Sequence, residues 1–175
     1  MPPRITPVTD LDREHLKACV ALAEAALDAG DEPFGSMLVG ADGRVLAEDR
    51  NRVSGGDATR HPEFALARWA AEHLAPKERS RSTVYTSGEH CAMCAAAHAW
   101  VGLGRIVYAS STPQLLSWMD RWGAGRPPVA PLRIQEVATA IEVSGPDEVL
   151  SAEVERLHRR RLEQQGVIPV ADSRP

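Results

Sequence analysis

The order of periodicities along the chain limits the folds open to it. In TDLDREHLKACVALAEAALDAG the apolar residues Leu11, Ala18, Leu22, Ala25 and Ala26 recur at helical spacing, with Thr9 or Asp10 as cap and Gly30 as stop. FGSMLVG and RVLAEDRN then read as two strands joined through Asp42-Gly43, which has hairpin-turn chemistry. After the loop SGGDATR the pattern alternates. A helix from His61 to Leu74 precedes a strand at Ser82 to Ser87, and CAMCAAAHAWVG reads as a helix ended by Gly102. RIVYAS is a strand, TPQLLSWMDRWG a short helix with Pro113 in its first turn, and LRIQEVATAIEV a strand with a possible break. LSAEVERLHRRRLEQQ closes the series as a helix capped by Ser151. Strands alternating with helices bury a central sheet between helical layers, and the opening hairpin makes that sheet mixed. The expected fold is α/β: a three-layer α-β-α sandwich around a mixed five-stranded sheet. One domain spans residues 1–165, and 166–175 reads as a loose tail.

The 175 residues and 43% hydrophobic content suit one domain with a real core. No apolar run approaches the ~20 residues that span a bilayer. MPPRITPVTD lacks an apolar signal core, so the expected compartment is the cytoplasm. The net charge of -4 argues against a nucleic-acid partner. The one dense basic run, RLHRRR at Arg156 to Arg161, reads as the solvated face of a helix. Three cysteines are an odd number for a disulfide framework. Cys19 falls in an apolar helical pattern and reads as a small buried hydrophobe.

Cys91 and Cys94 differ from it: they lie three apart at a helix start, so both sulfurs reach one ion. A helix N-terminus also favours thiolate over thiol. His61, opening another helix, is a candidate third ligand. A closed four-thiolate site is excluded for want of cysteines, and three protein ligands with an open position is a catalytic zinc layout. Glu63, two residues after His61, can enter the same pocket without binding the metal. A carboxylate beside a metal-activated water can take its proton and hand it to a departing amine. That is hydrolytic deamination.

H-P-E at 61–63 with C-A-M-C at 91–94 resembles the H-x-E…P-C-x-x-C pattern of the zinc-dependent cytidine deaminase superfamily. PFGSMLVGADGRVLAEDRN and YTSGEHCAMCAAA resemble segments of bacterial guanine deaminases and tRNA adenosine deaminases, and IEVSGPDEVLSAEVERLHR a C-terminal strand and helix of small nucleoside deaminases. The resemblance implies a cytidine deaminase-like fold, one zinc ion per chain on His61, Cys91 and Cys94, and Glu63 as proton shuttle. It places Asn51 as a hydrogen-bonding contact to substrate, Phe34 in the base pocket and Asp120 near an acidic base-reading position. Trp118 is a candidate cover for the pocket, and Glu89 and His90 are candidate contacts beside the first cysteine. The implied substrate is a small heterocycle, guanine-like or cytosine-like, and the implied assembly a homodimer. A tRNA adenosine deaminase and a non-catalytic zinc interaction module are the competing functions.

Two positions depart from the pattern. Relatives carry a small residue at Pro62, whose N–H donates to a substrate carbonyl; proline has no N–H, although its φ suits a helix's first turn. Substrate choice is therefore expected to differ. His90 stands where the pattern has proline, either near the metal or the substrate or as a tolerated surface residue. His15, His73, His98 and His158 show no ligand spacing and read as structural.

Overall fold

The computed structural model describes residues 6–170. Gly43 adopts φ 80° and closes the turn between strands β1 (Gly35–Val39) and β2 (Val45–Arg50), which pair antiparallel. Before them runs helix α1 (Asp10–Asp28). After them come α2 (Pro62–His73), the single turn α3 (Pro76–Arg79), β3 (Thr83–Gly88), α4 (Ala92–Val101), β4 (Arg105–Ser110), α5 (Thr112–Arg121), the single turn α6 (Ile134–Val137), β5 (Val143–Ser144) and α7 (Glu148–Gln164). The sheet order is β2-β1-β3-β4-β5; β1 is antiparallel to both neighbours, and the β3–β4 and β4–β5 pairs are parallel.

Side chains alternate across the sheet as the pleat requires. Met37, Val39, Tyr85, Val107 and Ala109 pack with α1, with Trp118 of α5 and with Leu150, Val154 and Leu157 of α7. Leu38 and Val84 face the opposite way onto Leu66, Ala67 and Ala70 of α2. Ile106 meets Ala95 of α4 and Ile134 of α6. This is the expected three-layer α/β sandwich. Gly35 lets β1 lie against α1, since a Cβ there would overlap the backbone of Cys19 and Ala23. Among the described residues no helix is long and apolar enough to cross a membrane.

Three local expectations need correction. LRIQEVATAIEV is mostly not strand: Ile134–Val137 forms a helical turn and only Val143–Ser144 joins the sheet. The turn forms because Arg133 N donates to Glu136 and Ile134 N to the buried Glu89 carboxylate. The cap of α7 is Asp147, not Ser151; it accepts from Val149 N and Leu150 N, and Ser151 lies inside the first turn. The face of α1 is rotated: Leu16, Cys19, Val20, Ala23 and Leu27 are buried, whereas Leu11 is 66% exposed. In the basic run Arg156 and Arg159 are exposed, as expected of a solvated face, while Arg160 pairs with Glu24 and Asp28 of α1 and Arg161 with Glu32. The last five residues of the expected tail lie outside the described residues.

The rotation of α1 has an electrostatic cause. Asp12, 2% exposed, accepts two 3.0 Å hydrogen bonds from Arg105 and one of 2.9 Å from Tyr85, while Thr9 N donates to it as a cap. Burial raises its pKa, but the bonds from Arg105, Thr9 and Tyr85 outweigh that and hold it below the usual carboxylate value. Asp12→Ala leaves Arg105 with only Glu142 at 3.8 Å and the Ser144 hydroxyl, and should destabilise by about 3 kcal/mol in urea unfolding at pH 7. A depressed folded pKa gives stability that is full above the unfolded value and lost as pH falls through the folded one. The gap between wild type and variant should thus close only below about pH 4.

Candidate active site

Two helix starts meet the carboxyl end of β3. Beyond Gly88 the chain passes Glu89 and His90 and reaches Cys91, extended at φ -68°, ψ 170°, which caps α4; Cys94 follows one turn in. On α2, His61 is extended at φ -84°, ψ 140°, as a residue before proline must be, and Pro62 takes the first helical position. His61 Nδ1 lies 3.6 Å from Cys91 Sγ and 3.6 Å from Cys94 Sγ. An ion with tetrahedral angles and zinc's bond lengths sets nitrogen and sulfur roughly 3.6 Å apart. The three donor atoms all lie within 4.8 Å of one another, so they are able to hold a metal ion.

The electrostatics fit a cation. The Cys94 hydrogen bond draws the Cys91 thiol down to about 4, against burial and with help from His61. Cys94 is pushed up by the Cys91 thiolate, by burial and by Glu63. His61 rises to about 9, chiefly through its bond to Cys91 and despite burial, with the Glu63 charge assisting. Two cysteine sulfurs and an imidazole nitrogen within reach of one point are a donor set that suits a divalent cation, which binds them as thiolates and neutral imidazole.

Glu63 is buried beside the cluster. Its Oε1 lies 2.9 Å from the Thr86 hydroxyl and 3.2 Å from that of Ser36, and Oε2 is 3.8 Å from Cys94 Sγ. Burial raises its pKa, with His61 opposing. Asn51 is fully buried. Its Oδ1 accepts from Val53 N at 3.1 Å and Glu32 N at 3.4 Å, while Nδ2 has no partner. Asn51 is therefore both turn former and spare donor. The half-buried Phe34 covers Gly88, where a Cβ would come 2.9 Å from its ring. His90 is 1% exposed, neither ring nitrogen has a partner, and its ring stands edge-on to His98 at 5.5 Å. The surface reading of His90 is thereby overturned.

The profile of the MafB19-like deaminase family matches residues 11–142. The chain belongs to that family. A probable cytosine deaminase of Schizosaccharomyces pombe is 31% identical over 148 residues, 81% of this chain and 87% of the relative. The guanine deaminase of Bacillus subtilis is 36% identical over 97 residues, 54% of this chain and 62% of the relative. A solved structure from a study of A-to-I editing by tRNA:A34 deaminases superposes with TM-score 0.60 at 26% identity, covering 83% of this chain and 99% of that one. The resemblance read from H-P-E and C-A-M-C thus holds, and this MafB19-like deaminase stands among nucleobase and nucleoside deaminases.

Three expected pocket residues are engaged elsewhere. Glu89 spends both carboxylate oxygens on helix starts, accepting from Thr112 N at 2.8 Å and Ile134 N at 3.1 Å, with Arg133 at 3.8 Å. That leaves it a positioning residue rather than a substrate contact. Asp120 is exposed and pairs with Arg126 through two 2.7 Å bonds. Trp118 is buried in the core among Val107, Leu150 and Val154. Ser36 and Thr86 escaped the sequence reading; they face each other across the β1–β3 register, as inward polar residues in otherwise apolar strands. That polarity was the available signal. Because both oxygens of Glu89 accept, Glu89→Gln should rescue little of the roughly 3 kcal/mol expected to be lost in Glu89→Ala, as a comparison of urea midpoints will show.

Proposed function

We propose that this deaminase is a zinc-dependent aminohydrolase that removes an exocyclic amino group from a small heterocyclic base or nucleoside, guanine-like or cytosine-like. The observation that carries the reading is the buried Glu63 carboxylate, held by two hydroxyls 3.8 Å from one sulfur of a three-donor cluster. His61, Cys91 and Cys94 hold the ion, which supplies Lewis acidity toward water when bound. Thr86 and Ser36 fix Oε1 of Glu63, so the other oxygen takes a proton and passes it to the leaving nitrogen. Burial raises its pKa, which favours holding the proton between the two transfers. In the net reaction water adds its oxygen to the ring carbon, the exocyclic C–N bond breaks and ammonia departs. Asn51 Nδ2 donates to the substrate and Phe34 lines its ring. Pro62 contributes φ and no donor. The working assembly is a homodimer, as the family resemblance implies.

A tRNA substrate is the second reading, favoured by the match to tRNA deaminases. A cleft of about 320 Å³ opens beside His61, lined by Arg52, Arg60 and Arg68. Asp49, Asp57 and Glu72 line it too, so it presents no net positive field to phosphates, and the small substrate is preferred.

Ammonia release by zinc-loaded protein from guanine, cytosine, adenine, their nucleosides and a tRNA anticodon stem tests the choice. We expect turnover of one or more free bases, falling about 10²–10⁴-fold in Glu63→Ala with zinc content retained. Turnover of the RNA alone would establish the second reading, and silence throughout with zinc bound would establish an interaction module. Pro62→Ala restores a donor and should shift kcat/KM ratios between substrates with and without a carbonyl beside the reacting carbon. Unmoved ratios would discard a role for Pro62 in selection.

A further inference from the structure

We propose that a second copy of this chain docks on the α2–α4 face: the partner's Trp100 enters the cleft beside His61, and the partner's cleft receives Trp100 in return. This rests on the homodimer of the proposed function and not on the reaction itself. Trp100 lies in the last turn of α4 and is 89% exposed. The helix, AMCAAAHAWV, contains no Asp, Glu, Lys or Arg, and its His98 is buried. Met93 and Ala96, both half-buried, precede Trp100 at helical spacing, so the outer stripe of α4 is wholly apolar. A helix that is apolar all round is a buried helix, yet among the described residues nothing covers Trp100.

The same face offers the receiving site. The cleft of about 320 Å³ is lined by Phe64, Ala65, Arg68, Trp69 and Glu72 of α2 and reaches His61. It exceeds an indole in volume. Trp69 forms a fixed wall, stacked on His73 at 4.5 Å with the ring planes 10° apart. Arg68 and Glu72 are exposed and have no ion pair among the described residues. An indole between them stacks on Trp69, takes the Arg68 guanidinium over its face and gives its N–H to Glu72. The charges match, because α4 brings none of its own against either residue. Reciprocity follows from the helix directions. Both helices start at the metal cluster, capped by His61 and Cys91, and Ala97 and Val101 of α4 pack beside Ala67 and Ala70 of α2. They therefore run side by side in one direction. Trp100 stands nine residues after Cys91, level with Ala70, nine after His61. A two-fold axis along the groove between the helices lays each α4 on the partner's α2 at that level and closes the pair. Each cleft is then walled off near His61 by the other copy. Two indoles and the walls they cover supply on the order of 800 Å². The stripes at Met93 and Ala96 carry the total toward the ~1,200 Å² at which specific interfaces begin.

The test is sedimentation equilibrium of the zinc-loaded full chain, over a range of concentrations, for wild type, Trp100→Ala and Ala65→Trp. Trp100→Ala removes a ring that makes no core contact, so the folded monomer persists by circular dichroism. Ala65→Trp places an indole one turn from Trp69 and fills the cleft. Each variant should raise the dimer Kd more than about 100-fold. An equimolar mixture of the two should form a heterodimer tighter than either homodimer, because the Trp100 kept by Ala65→Trp still meets the open cleft kept by Trp100→Ala. A wild-type dimer whose Kd Trp100→Ala leaves unchanged overturns this interface and leaves the homodimer standing. Two weakened variants that form no heterodimer overturn the reciprocal seating. A wild type that is monomeric at every concentration removes the homodimer and the proposal with it, while ammonia release still decides the reaction.

Discussion

The Glu89 carboxylate accepts a backbone hydrogen bond from the start of α5 and another from the start of α6, and its side chain is 2% exposed. It stands two residues before Cys91, where β3 ends and α4 begins. One buried charge thus fixes the loop that presents the cysteines and anchors two segments distant in sequence. The energetics follow from the free N–H groups at a helix start: each backbone donor there lacks an intrahelical partner, and a carboxylate satisfies it while meeting the positive end of the dipole. Burying a charge is affordable only when its acceptor capacity is filled, and here both oxygens are occupied.

The opposite end of the parallel strands repeats the device. Asp12 binds Arg105 at the start of β4 and Tyr85 on β3, and Arg105 reaches Ser144 on β5 at 2.7 Å. One acid clamps the carboxyl ends of strands to loops, the other clamps the amino ends to α1. Between them the apolar layers pack with ordinary strand alternation. The site can carry two sulfurs, an imidazole and a carboxylate in a half-buried space because its frame is held from both ends by groups outside the chemistry.

This division explains what was legible in the sequence. Metal chemistry admits few residue types, so His61, Cys91 and Cys94 stood out, and the structure brings all three together. Strand and helix order was legible because period 2 and period 3.6 are local. The clamps were not, since an acid in a sequence looks solvated until its partners arrive. Asp12 turned the buried face of α1 away from Leu11, and Glu89 drew Ile134 into a helical turn inside a stretch of strand-like residues. Ser36 and Thr86 lay hidden for the same reason: two hydroxyls become a carboxylate's cradle only once β1 and β3 are in register.

The same distinction bears on recognition. Pro62 leaves no backbone donor at the first position of α2, and on the proposed function this would pass substrate selection to side chains. Asn51 Nδ2, beside the segment 32–34, is a buried donor without a partner. Asn51 follows the end of β2 and is tied to the segment 32–34 through Glu32 N and the Phe34 carbonyl. A backbone donor is fixed by the helix that bears it, whereas a side-chain donor such as Asn51 Nδ2 is set by its own residue on another element. On the proposed function selectivity is then separable from metal binding: His61, Cys91, Cys94 and Glu63 would set the reaction, and residues on other elements would set which heterocycle meets it.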